Sequence, residues 1–559
     1  MAKDAFNNSR QPEALVLLAL IVVLAAVLRF WGISFGLPGR YRPDEEYIVS
    51  RAISVYTGQL NPKFFIYPSL YMYISAAFFW LIRLGGELFG FWQGAVFTAA
   101  LTANGAAAAH LLIRMLSATA GVLTVPLTYL LGMRYFDRQT GLLASFLLSC
   151  SFLHIRDSHY ATTDAAMTLF TAAALFALYR LSKSGRFRDY FLASFFCGLA
   201  ISIKYTAAVL ALPYLVAHIL AVLNNHSNEA HSGLVKIIKK LSIKLLGPVP
   251  LIKAFAGVLL TLVFFLAGTP FILFERELVV KEFNYQQRFL SRGLPGVDMD
   301  YGLKWLFGFA LPAGAGVFFT AIAIVGVIFY ILKLFKKQQT LHPLILLFSV
   351  IAVFIVVTQS RWIFVRYLMP AMVPLSVFAA YGIRQIGREL AGDRCISMGS
   401  ALLVAVVVYD PLSRAVNLNR LFTEVDTRNM ALAWLESNLK KGDHVLTHSS
   451  FYYGKPALPA SFRYEHLDSF VSKTINRGNA YLIVDRYPIK YFSPDFKPAL
   501  SFKGAWTIKR VASFSPFVSD DQNILIEPLD AFYCPLRGFK KVRRPGPLIN
   551  IYRLHKKNG

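Results

Sequence analysis

The sequence is poor in charged residues and in cysteine. Only 16% of the 559 residues are charged, and 58 basic against 31 acidic side chains leave a net charge of +27. Soluble globular domains have roughly a quarter of their residues charged, so this composition argues against an ordinary soluble enzyme and against a disordered chain. The four cysteines, at positions 150, 197, 395 and 534, are far apart and form no CxxC pair. Neither a disulfide framework nor a zinc ribbon is indicated.

Long hydrophobic runs are what the sequence has instead, with 56% hydrophobic residues and a mean hydropathy of +0.49. Apolar stretches approaching the roughly 20 residues that a helix needs to cross a bilayer recur over most of the chain. The predicted spans are 13–33, 110–132, 140–155, 163–180, 190–203, 205–223, 254–270, 303–332, 343–358, 367–383 and 396–410. Residues 67–86 and 92–109 either cross as a pair or both lie at the outer interface. The sequence therefore predicts a polytopic α-helical membrane protein with about 11 to 13 transmembrane helices.

Basic residues concentrate in alternate loops. With a cytoplasmic N-terminus, the inside segments carry Lys3, Arg10, Arg134, Arg138, Arg180, Lys183, Arg186, Arg188, Lys236, Lys239, Lys240, Lys244, Lys253, Lys333, Lys336, Lys337, Arg384, Arg388 and Arg394. The short outside loops hold only Arg156, Lys204, Arg361 and Arg366. The positive-inside rule accounts for this asymmetry, so no nucleic-acid partner is needed to explain the net charge. We predict a multi-pass protein of a bacterial inner or archaeal plasma membrane.

The residue composition of the chain changes near residue 412. Residues 1–411 form the predicted membrane domain, and residues 412–559 are a polar and aromatic mixture of domain size. A helix is predicted over 427–439 after the cap Asp426, and short strands over 444–448, 481–485 and 549–554. The second part is predicted to be an extracytoplasmic α/β domain, because an odd number of spans precedes it.

The first outside loop, residues 34–66, carries three consecutive acids, Asp44, Glu45 and Glu46. A helix follows over 45–57, in which Ile48, Ala52, Val55 and Tyr56 share one face. One interpretation is that Asp44 only caps this helix. The other is that a carboxylate at the membrane surface deprotonates an acceptor hydroxyl.

The second outside loop, residues 156–164, is also rich in ionisable groups: it carries Arg156, Asp157, His159 and Asp164, with His154 just before it. Asp164 begins the next span, so it is either a helix cap or a functional carboxylate on the same side as Asp44. The histidines are expected to be interfacial hydrogen-bonding residues more than metal ligands.

Three cations lie on that side. Lys204 interrupts an apolar run, and Arg361 and Arg366 stand among aromatic residues. Each could simply snorkel to the interface. Alternatively, they bind a lipid phosphate, which suits guanidinium groups in particular. Residues 271–304 form a longer outside loop, either a lid or acceptor-docking element or a plain connector.

Several motifs together resemble a known family. They are Arg42-Pro43-Asp44-Glu45, Phe64-Phe65-Ile66-Tyr67-Pro68-Ser69-Leu70, Tyr160-Ala161-Thr162-Thr163-Asp164 and Arg366-Tyr367-Leu368-Met369-Pro370. In this order they are similar to the polyprenyl-phosphate-sugar-dependent glycosyltransferases of the C-type fold, which include protein O-mannosyltransferases and lipid A aminoarabinose transferases. The resemblance covers roughly residues 13–411.

The resemblance implies roles for individual residues. Asp44 corresponds to the catalytic base, with Glu45 beside it and Asp164 as the acid of the second loop, while Lys204 and Arg366 correspond to donor-phosphate ligands. Tyr67-Pro68-Ser69 stands where the aminoarabinose transferases have Lys-Pro-Pro, which makes Lys63 a candidate for that phosphate contact. Further substrate-binding candidates are Tyr67, Tyr205, Arg361 and His159.

The function that these expectations imply is transfer of one sugar from a polyprenyl (undecaprenyl or dolichyl) phosphate to a protein, lipid or glycan acceptor on the outer face. Attack assisted by Asp44 would invert the anomeric carbon. No cofactor is required, although a divalent metal ion could bind the acidic clusters. The alternatives are a transporter or flippase of lipid-linked sugars and a non-catalytic subunit of an envelope assembly. Transporters usually carry ionisable groups near the midplane, whereas these gather at one face.

Overall fold

The computed structural model describes residues 11–103, 106–224, 247–293, 300–448, 454–459, 461–467, 479–486, 506–519, 524–527 and 534–556. Over these ranges the chain forms a helical bundle up to residue 423 and a small α/β unit after it. The cysteines at 150, 197 and 534 are buried, and the side chain of the cysteine at 395 lies outside the described residues.

The helices, in chain order, are α1 (Gln11–Phe30), α2 (Pro43–Tyr56), α3 (Leu70–Leu88), α4 (Gly94–Thr102), α5 (Ala107–Tyr135), α6 (Arg138–Ser149), α7 (Phe152–Ser158), α8 (Asp164–Ser184), α9 (Phe187–Ile203), α10 (Ala211–Asn224), α11 (Pro248–Gly268), α12 (Arg276–Arg292), α13 (Gly302–Trp305), α14 (Leu311–Gly314), α15 (Val317–Phe335), α16 (Leu344–Gln359), α17 (Met369–Thr423) and α18 (Thr427–Asn438). Short 3-10 turns lie at Tyr205–Leu210, Pro270–Leu273, Val365–Leu368 and Phe539–Lys541, and a π-helical turn at Leu306–Ala310.

Helix length and composition support a membrane protein. Seven helical segments in the described part of the chain are long and apolar enough to cross a bilayer, and α16 is a shorter apolar helix. The predicted polytopic helical fold is thereby confirmed. Two predicted spans correspond to α6 and α9, which have 12 and 17 residues. The predicted 11 to 13 crossings thus depend on helices shorter than the usual ~20 residues.

Two predicted spans are interrupted. The span predicted over 140–155 ends as helix α6 at Ser149 and is followed by the separate buried helix α7. The span predicted over 303–332 breaks between α14 and α15 at Gly316, whose φ of +97° suits glycine. Hydropathy stays high across both breaks, so it does not reveal them.

Helix α17 contains the two spans predicted over 367–383 and 396–410. Gln385 lies at one end of α15, where it accepts a hydrogen bond from Lys333, while Asp410 lies beside Gly316 at the other end. Gln385 and Asp410 therefore lie at opposite ends of α15, and the segment between them runs along it.

The region of uncertain topology, residues 67–109, packs against α2. Tyr56 at the end of α2 hydrogen-bonds to Thr98 of α4 at 2.9 Å and contacts the ring of Phe79 in α3. Helix α4 has nine residues, which is too short to cross a bilayer. This favours the predicted alternative in which both segments lie at the interface.

The longer loop predicted over 271–304 contains helix α12, which lies over the first outside loop. Asn61 donates to Glu275 at 2.6 Å, and the backbone N–H of Phe65 donates to Glu282. Both contacts fix the segment before Tyr67 in place.

The predicted domain boundary at residue 412 falls inside α17. Asn419 donates to the carbonyl oxygen of Leu28 at 2.8 Å, and Phe422 stacks on Phe35 with ring centroids 4.2 Å apart. Residues 412–423 thus belong to the helical bundle.

The C-terminal unit is built on a five-stranded mixed sheet. Its strands are β1 (His444–Thr447), β2 (Tyr464–His466), β3 (Ala480–Arg486), β4 (Trp506–Phe514) and β5 (Leu548–Lys556), in the spatial order β2-β1-β3-β5-β4. β1 pairs in parallel with β2 and β3, and β5 pairs antiparallel with β3 and β4. Helix α18, capped by Asp426 as predicted, packs Ala431 and Leu435 on one face.

The predicted α/β domain is confirmed, and the three predicted strands correspond to β1, β3 and β5. The sequence did not indicate β2, which has three residues, or β4, whose register shifts between Arg510 and Ala512. Such a bulge breaks the alternation by which a strand is recognised.

Candidate active site

Asp44 lies in the first turn of α2, directly after Pro43. Its Oδ2 accepts a hydrogen bond from Nη2 of Arg366 at 2.7 Å. The Asp44 side chain is 26% exposed, whereas that of Arg366 is 4% exposed. The predicted capping role is wrong, because Arg42 occupies the N-cap position and no side chain caps the helix. Asp44 is therefore a half-exposed carboxylate held by a buried cation.

The charge environment keeps Asp44 ionised. Burial acts to raise the pKa of this carboxyl, but the positive charges of Arg366, Arg42 and Lys204 outweigh it and leave the pKa below its usual range. The helix N-terminus favours the same ionised form. Asp44 can therefore accept a proton at neutral pH.

Glu45, the next residue, is fully buried and points away from Asp44's partner. Arg114 donates to its two carboxylate oxygens, from Nε at 2.9 Å and from Nη2 at 2.7 Å. The backbone N–H of Ala161 donates to Oε1 at 2.9 Å. Glu45 thus ties the first outside loop to α5 and to the second outside loop.

Glu46 points in a third direction, to the surface, where it pairs with Arg40 at 2.8 Å. The three acids that are consecutive in sequence therefore do not form one cluster. The described residues hold no group of three or more His, Cys, Asp or Glu side chains arranged to bind a metal ion.

Asp164 and Lys204 form a second ion pair at the same end of the bundle. Lys204 ends α9 in an extended conformation, and its Nζ donates to Oδ1 of Asp164, the first residue of α8, at 2.6 Å. Both side chains are buried. Burial lowers the pKa of Arg366, but the carboxylates of Asp44 and Asp164 outweigh it and raise that pKa, so both acids act on one guanidinium.

A cavity of about 490 Å³ opens beside these pairs. Its walls are largely apolar, with Val353, Val356 and Val357 from α16 and Leu290 from α12. Lys204, Tyr67, Tyr205 and Tyr367 contribute polar groups to its lining, as do Thr206, Gln286, Gln287, Ser291, Gln359 and Ser360. The shape and chemistry fit a long apolar chain that ends in a polar group.

Two tyrosine rings lie close to the ammonium group of Lys204. Nζ of Lys204 lies 5.0 Å from the ring centre of Tyr367 and 5.8 Å from that of Tyr67. The hydroxyl of Tyr205 donates to the carbonyl oxygen of Phe65 at 3.1 Å. Burial raises the pKa of Tyr67 well above its usual value, so its hydroxyl stays protonated.

Arg366 retains unused hydrogen-bonding capacity. Nη1 is buried, and no acceptor for it is found within the described part of the chain. A buried donor without a partner is costly, so it marks a place where an anionic or polar ligand would be stabilised. Together with Lys204, which lines the cavity, it offers two positive charges beside that cavity.

Comparison with known proteins places this site in a family context. Residues 99–243, about a quarter of the chain, match the family described as dolichyl-phosphate-mannose-protein mannosyltransferase. The predicted resemblance is confirmed. The description of the matched family names a glycosyltransferase, which is the predicted enzyme class. None of the curated proteins matches the chain by sequence.

Several solved structures share features of the fold. The oligosaccharyltransferase AglB from Archaeoglobus fulgidus, in complex with an inhibitory peptide and a dolichol-phosphate, is 13% identical with a TM-score of 0.49 over 79% of this chain and 62% of that one. ArnT from Cupriavidus metallidurans, bound to undecaprenyl phosphate, is 12% identical with a TM-score of 0.49, and the match covers 96% of this chain and 97% of that one. The Pmt1-Pmt2 complex of S. cerevisiae, bound to the sugar donor, is 18% identical with a TM-score of 0.34, and the match covers 48% of this chain and 34% of that one. The chain spans about three fifths of the length of AglB.

Three predicted substrate-binding residues lie apart from the cavity lining. Lys63 is exposed, with a φ of +46°. Arg361 is exposed and faces the ring of Tyr301 at 5.1 Å. His159 is fully buried, and its ring nitrogens face the carbonyl oxygens of Ile155 and Trp31 at 2.8 and 3.0 Å. His159 thus has a structural place, while Lys63 and Arg361 lie outside the cavity lining.

Sequence reasoning missed one buried residue at the site. Arg114 stands inside the span predicted over 110–132, and an ionisable residue within a span is itself a signal that went unused. Asp157, bound through Oδ2 by Nε of Arg156 at 2.9 Å, is fully buried, and burial raises the pKa of its carboxyl.

Proposed function

We propose that this protein transfers a single sugar from a polyprenyl phosphate to an acceptor hydroxyl or similar nucleophile, with inversion of the anomeric carbon. The observation that carries the proposal is the pairing of Asp44 with Arg366 beside Lys204. A proton acceptor and two cations thereby lie beside a cavity with largely apolar walls, and Lys204 lines that cavity.

The donor lipid fits this arrangement in two parts. The isoprenoid tail would lie along Val353, Val356 and Val357, which are wall residues that need no polar partner. The phosphate would lie at Lys204 and at Nη1 of Arg366, where charge-assisted hydrogen bonds are strong.

The bond changes balance without an additional reactant. The acceptor oxygen attacks the anomeric carbon, the bond from that carbon to the phosphate oxygen breaks, and the acceptor proton passes to Asp44. The lipid monophosphate leaves with its electron pair, and Arg366 and Lys204 stabilise the charge that develops on it. Glu45 takes no part in proton transfer and positions the turn that carries Asp44.

Donor binding would change the partner of Arg366. In the structure its Nη2 is engaged by Asp44, so an incoming phosphate competes with that carboxylate. Arg366 moving toward the phosphate would free an oxygen of Asp44 for the acceptor proton. The two events are thereby coupled through one side chain.

The family description suggests the first donor to test. It names dolichyl-phosphate-mannose, so a polyprenyl-phosphate mannose is the proposed substrate, and a protein is one acceptor class among those predicted. The reaction needs no metal when Arg366 and Lys204 supply the charge, although a divalent ion is compatible with it.

The orientation remains part of the proposal. The end of the bundle opposite Asp44 carries Arg134, Arg138, Arg384 and Lys333 among its basic residues, which favours that end as cytoplasmic. The site and the C-terminal domain would then face outward, as predicted for a plasma-membrane enzyme with a cytoplasmic N-terminus.

The decisive experiment compares purified wild type with D44N, using radiolabelled undecaprenyl-phosphate mannose and a mixed extract of envelope protein as acceptor. Wild type is expected to transfer label and release undecaprenyl phosphate. D44N is expected to lose transfer at least 10³-fold, on the order of the loss of a general base. It should bind undecaprenyl phosphate at least as tightly, because its Arg366 no longer faces a competing carboxylate.

Glu46 provides the matched control, since E46Q removes a charge two residues away on the exposed side of α2. It should transfer at the wild-type rate. Substantial transfer by D44N would refute the role of Asp44, whereas movement of intact donor across a vesicle membrane without transfer would favour the transporter alternative.

A further inference from the structure

The C-terminal domain reaches into the neighbourhood of the active site through Glu527. This side chain is buried, 2% exposed, although it belongs to the unit that follows the membrane helices. Its Oε1 accepts a hydrogen bond from the backbone N–H of Val365, and its Oε2 accepts one from Nη1 of Arg156 at 3.3 Å. One carboxylate from the C-terminal domain therefore joins two separate segments of the bundle.

The first segment carries the phosphate-binding arginine. Val365 begins the 3-10 turn Val365–Leu368, and Arg366 is its second residue. The guanidinium of Arg366 packs over the ring of Phe364 at 3.9 Å, so its direction depends on how this short turn is held. A hydrogen bond to the first N–H of the turn fixes the backbone from which Arg366 projects.

The second segment is α7, whose last turn, with Arg156, belongs to the second outside loop. Arg156 donates through Nη1 to Glu527 and through Nε to Asp157. Arg156 and Asp157 are both buried, as is the Asp164 that begins the next helix. Glu527 thus ends a chain of charges that runs from the C-terminal domain to the acidic loop.

We propose that Glu527 is a positioning residue for transfer: through Val365 and Arg156 it sets the turn that presents Arg366 to the donor phosphate. The inference rests on the proposed function and extends it, because it makes the C-terminal domain a working part of the active site.

The contact chemistry predicts graded effects. E527A removes both acceptors and leaves the buried Arg156 without one of its carboxylate partners. E527Q keeps an amide oxygen that can still accept from Val365, but its NH₂ group faces Arg156. Loss of a hydrogen bond with a charged partner corresponds to about tenfold or more in the step that depends on it.

The experiment measures kcat and KM for undecaprenyl-phosphate mannose, the affinity for undecaprenyl phosphate alone, and hydrogen exchange of the amides of residues 365–368. E527A is expected to lower kcat/KM about tenfold or more, to weaken lipid-phosphate binding and to speed exchange in that turn. E527Q is expected to recover part of kcat/KM, because Val365 keeps its acceptor.

R537A is the matched control for domain docking. Nη2 of Arg537 donates to the carbonyl oxygen of Pro312 at 3.0 Å, so its loss also weakens the contact between the two units. It should lower thermal stability as E527A does, while kcat/KM of the folded protein and exchange at 365–368 stay near wild type.

The outcomes separate this inference from the proposed function. If wild type transfers sugar and E527A matches it in kcat/KM, or if R537A loses as much as E527A, the positioning role is overturned. A wild type that binds undecaprenyl phosphate but transfers nothing refutes the proposed function. In that case, a selective loss of lipid-phosphate binding in E527A still supports Glu527 as the residue that positions Arg366.

Discussion

Glu45 and Glu46 are neighbours in one helix, and their replacement by glutamine should have very different consequences for stability. Glu45 accepts three hydrogen bonds in a buried site, two of them from the guanidinium of Arg114. Glu46 pairs with Arg40 at the surface, where both side chains are 35% exposed. The two variants have the same chemistry and adjacent positions, which makes each the control for the other.

The cost of E45Q follows from the charge that it leaves behind. Breaking a buried ion pair from one side costs about 3–5 kcal/mol, since the remaining charge is not compensated. Arg114 also donates to the carbonyl oxygens of Ile33 and Phe35, which places the expected cost near the lower end, about 3 kcal/mol. The exposed pair of Glu46 contributes below about 1 kcal/mol.

Thermal unfolding in detergent can resolve this difference. With an unfolding entropy of about 2.1 cal/mol/K per residue, a cooperative transition of the whole chain would lose about 2–3 °C in Tm for E45Q and under about 1 °C for E46Q. The pKa of Glu45 lies below its usual range: burial raises it, but Arg114 and the Ala161 N–H outweigh that effect. The stabilisation by Glu45 is therefore present at neutral pH and lost as the pH falls through that lowered pKa.

The difference between the variants should accordingly shrink in acid. If E45Q and E46Q melt at the same temperature at neutral pH, Glu45 does not hold the two outside loops together. The account of how Asp44 is positioned would then be wrong.

Three further predictions concern the site itself. K204M removes a proposed phosphate ligand and leaves Asp164 buried without its cation. It should therefore raise the KM for undecaprenyl-phosphate mannose about tenfold and lower the free energy of unfolding by about 3 kcal/mol. Unchanged values in steady-state kinetics and denaturation would remove Lys204 from the site. V356W should narrow the donor cavity and raise the donor KM severalfold, whereas I355W, next to it but outside the cavity lining, should not; equal kinetics for the two variants would place the lipid tail elsewhere. The pKa of Asp44 is lowered, so Asp44 stops accepting a proton only when the pH falls below the usual carboxyl pKa near 3.8. The value of kcat/KM should therefore stay constant as the pH is lowered to about 5. A loss of activity centred near pH 6 would assign the base to another group.

The sequence predicted which residues form the site better than it predicted their ion-pair partners. The positive-inside pattern and the motifs placed Asp44, Asp164, Lys204 and Arg366 at one end of the molecule, and the structure brings all four together. Their partners could not be predicted, because Asp44 and Arg366 are 322 residues apart and no local pattern links them. For the same reason the three consecutive acids looked like one cluster, although they point in three directions.

The positions of the helices were likewise predicted better than their boundaries. Hydropathy found the apolar segments, but it could not show the break at Gly316 or the separation of α6 from α7, because both junctions are themselves apolar. Arg114 was predictable in principle, since a charged residue inside a span needs a partner. Glu527 was not, because its role depends only on how the C-terminal domain docks.

A structure of D44N with bound undecaprenyl-phosphate mannose tests the central claim most directly. The account predicts phosphate oxygens within about 3.2 Å of Nη1 of Arg366 and Nζ of Lys204, the tail along Val356, and the anomeric carbon facing position 44. A phosphate held away from both cations, or a sugar on the far side of them from position 44, would contradict it.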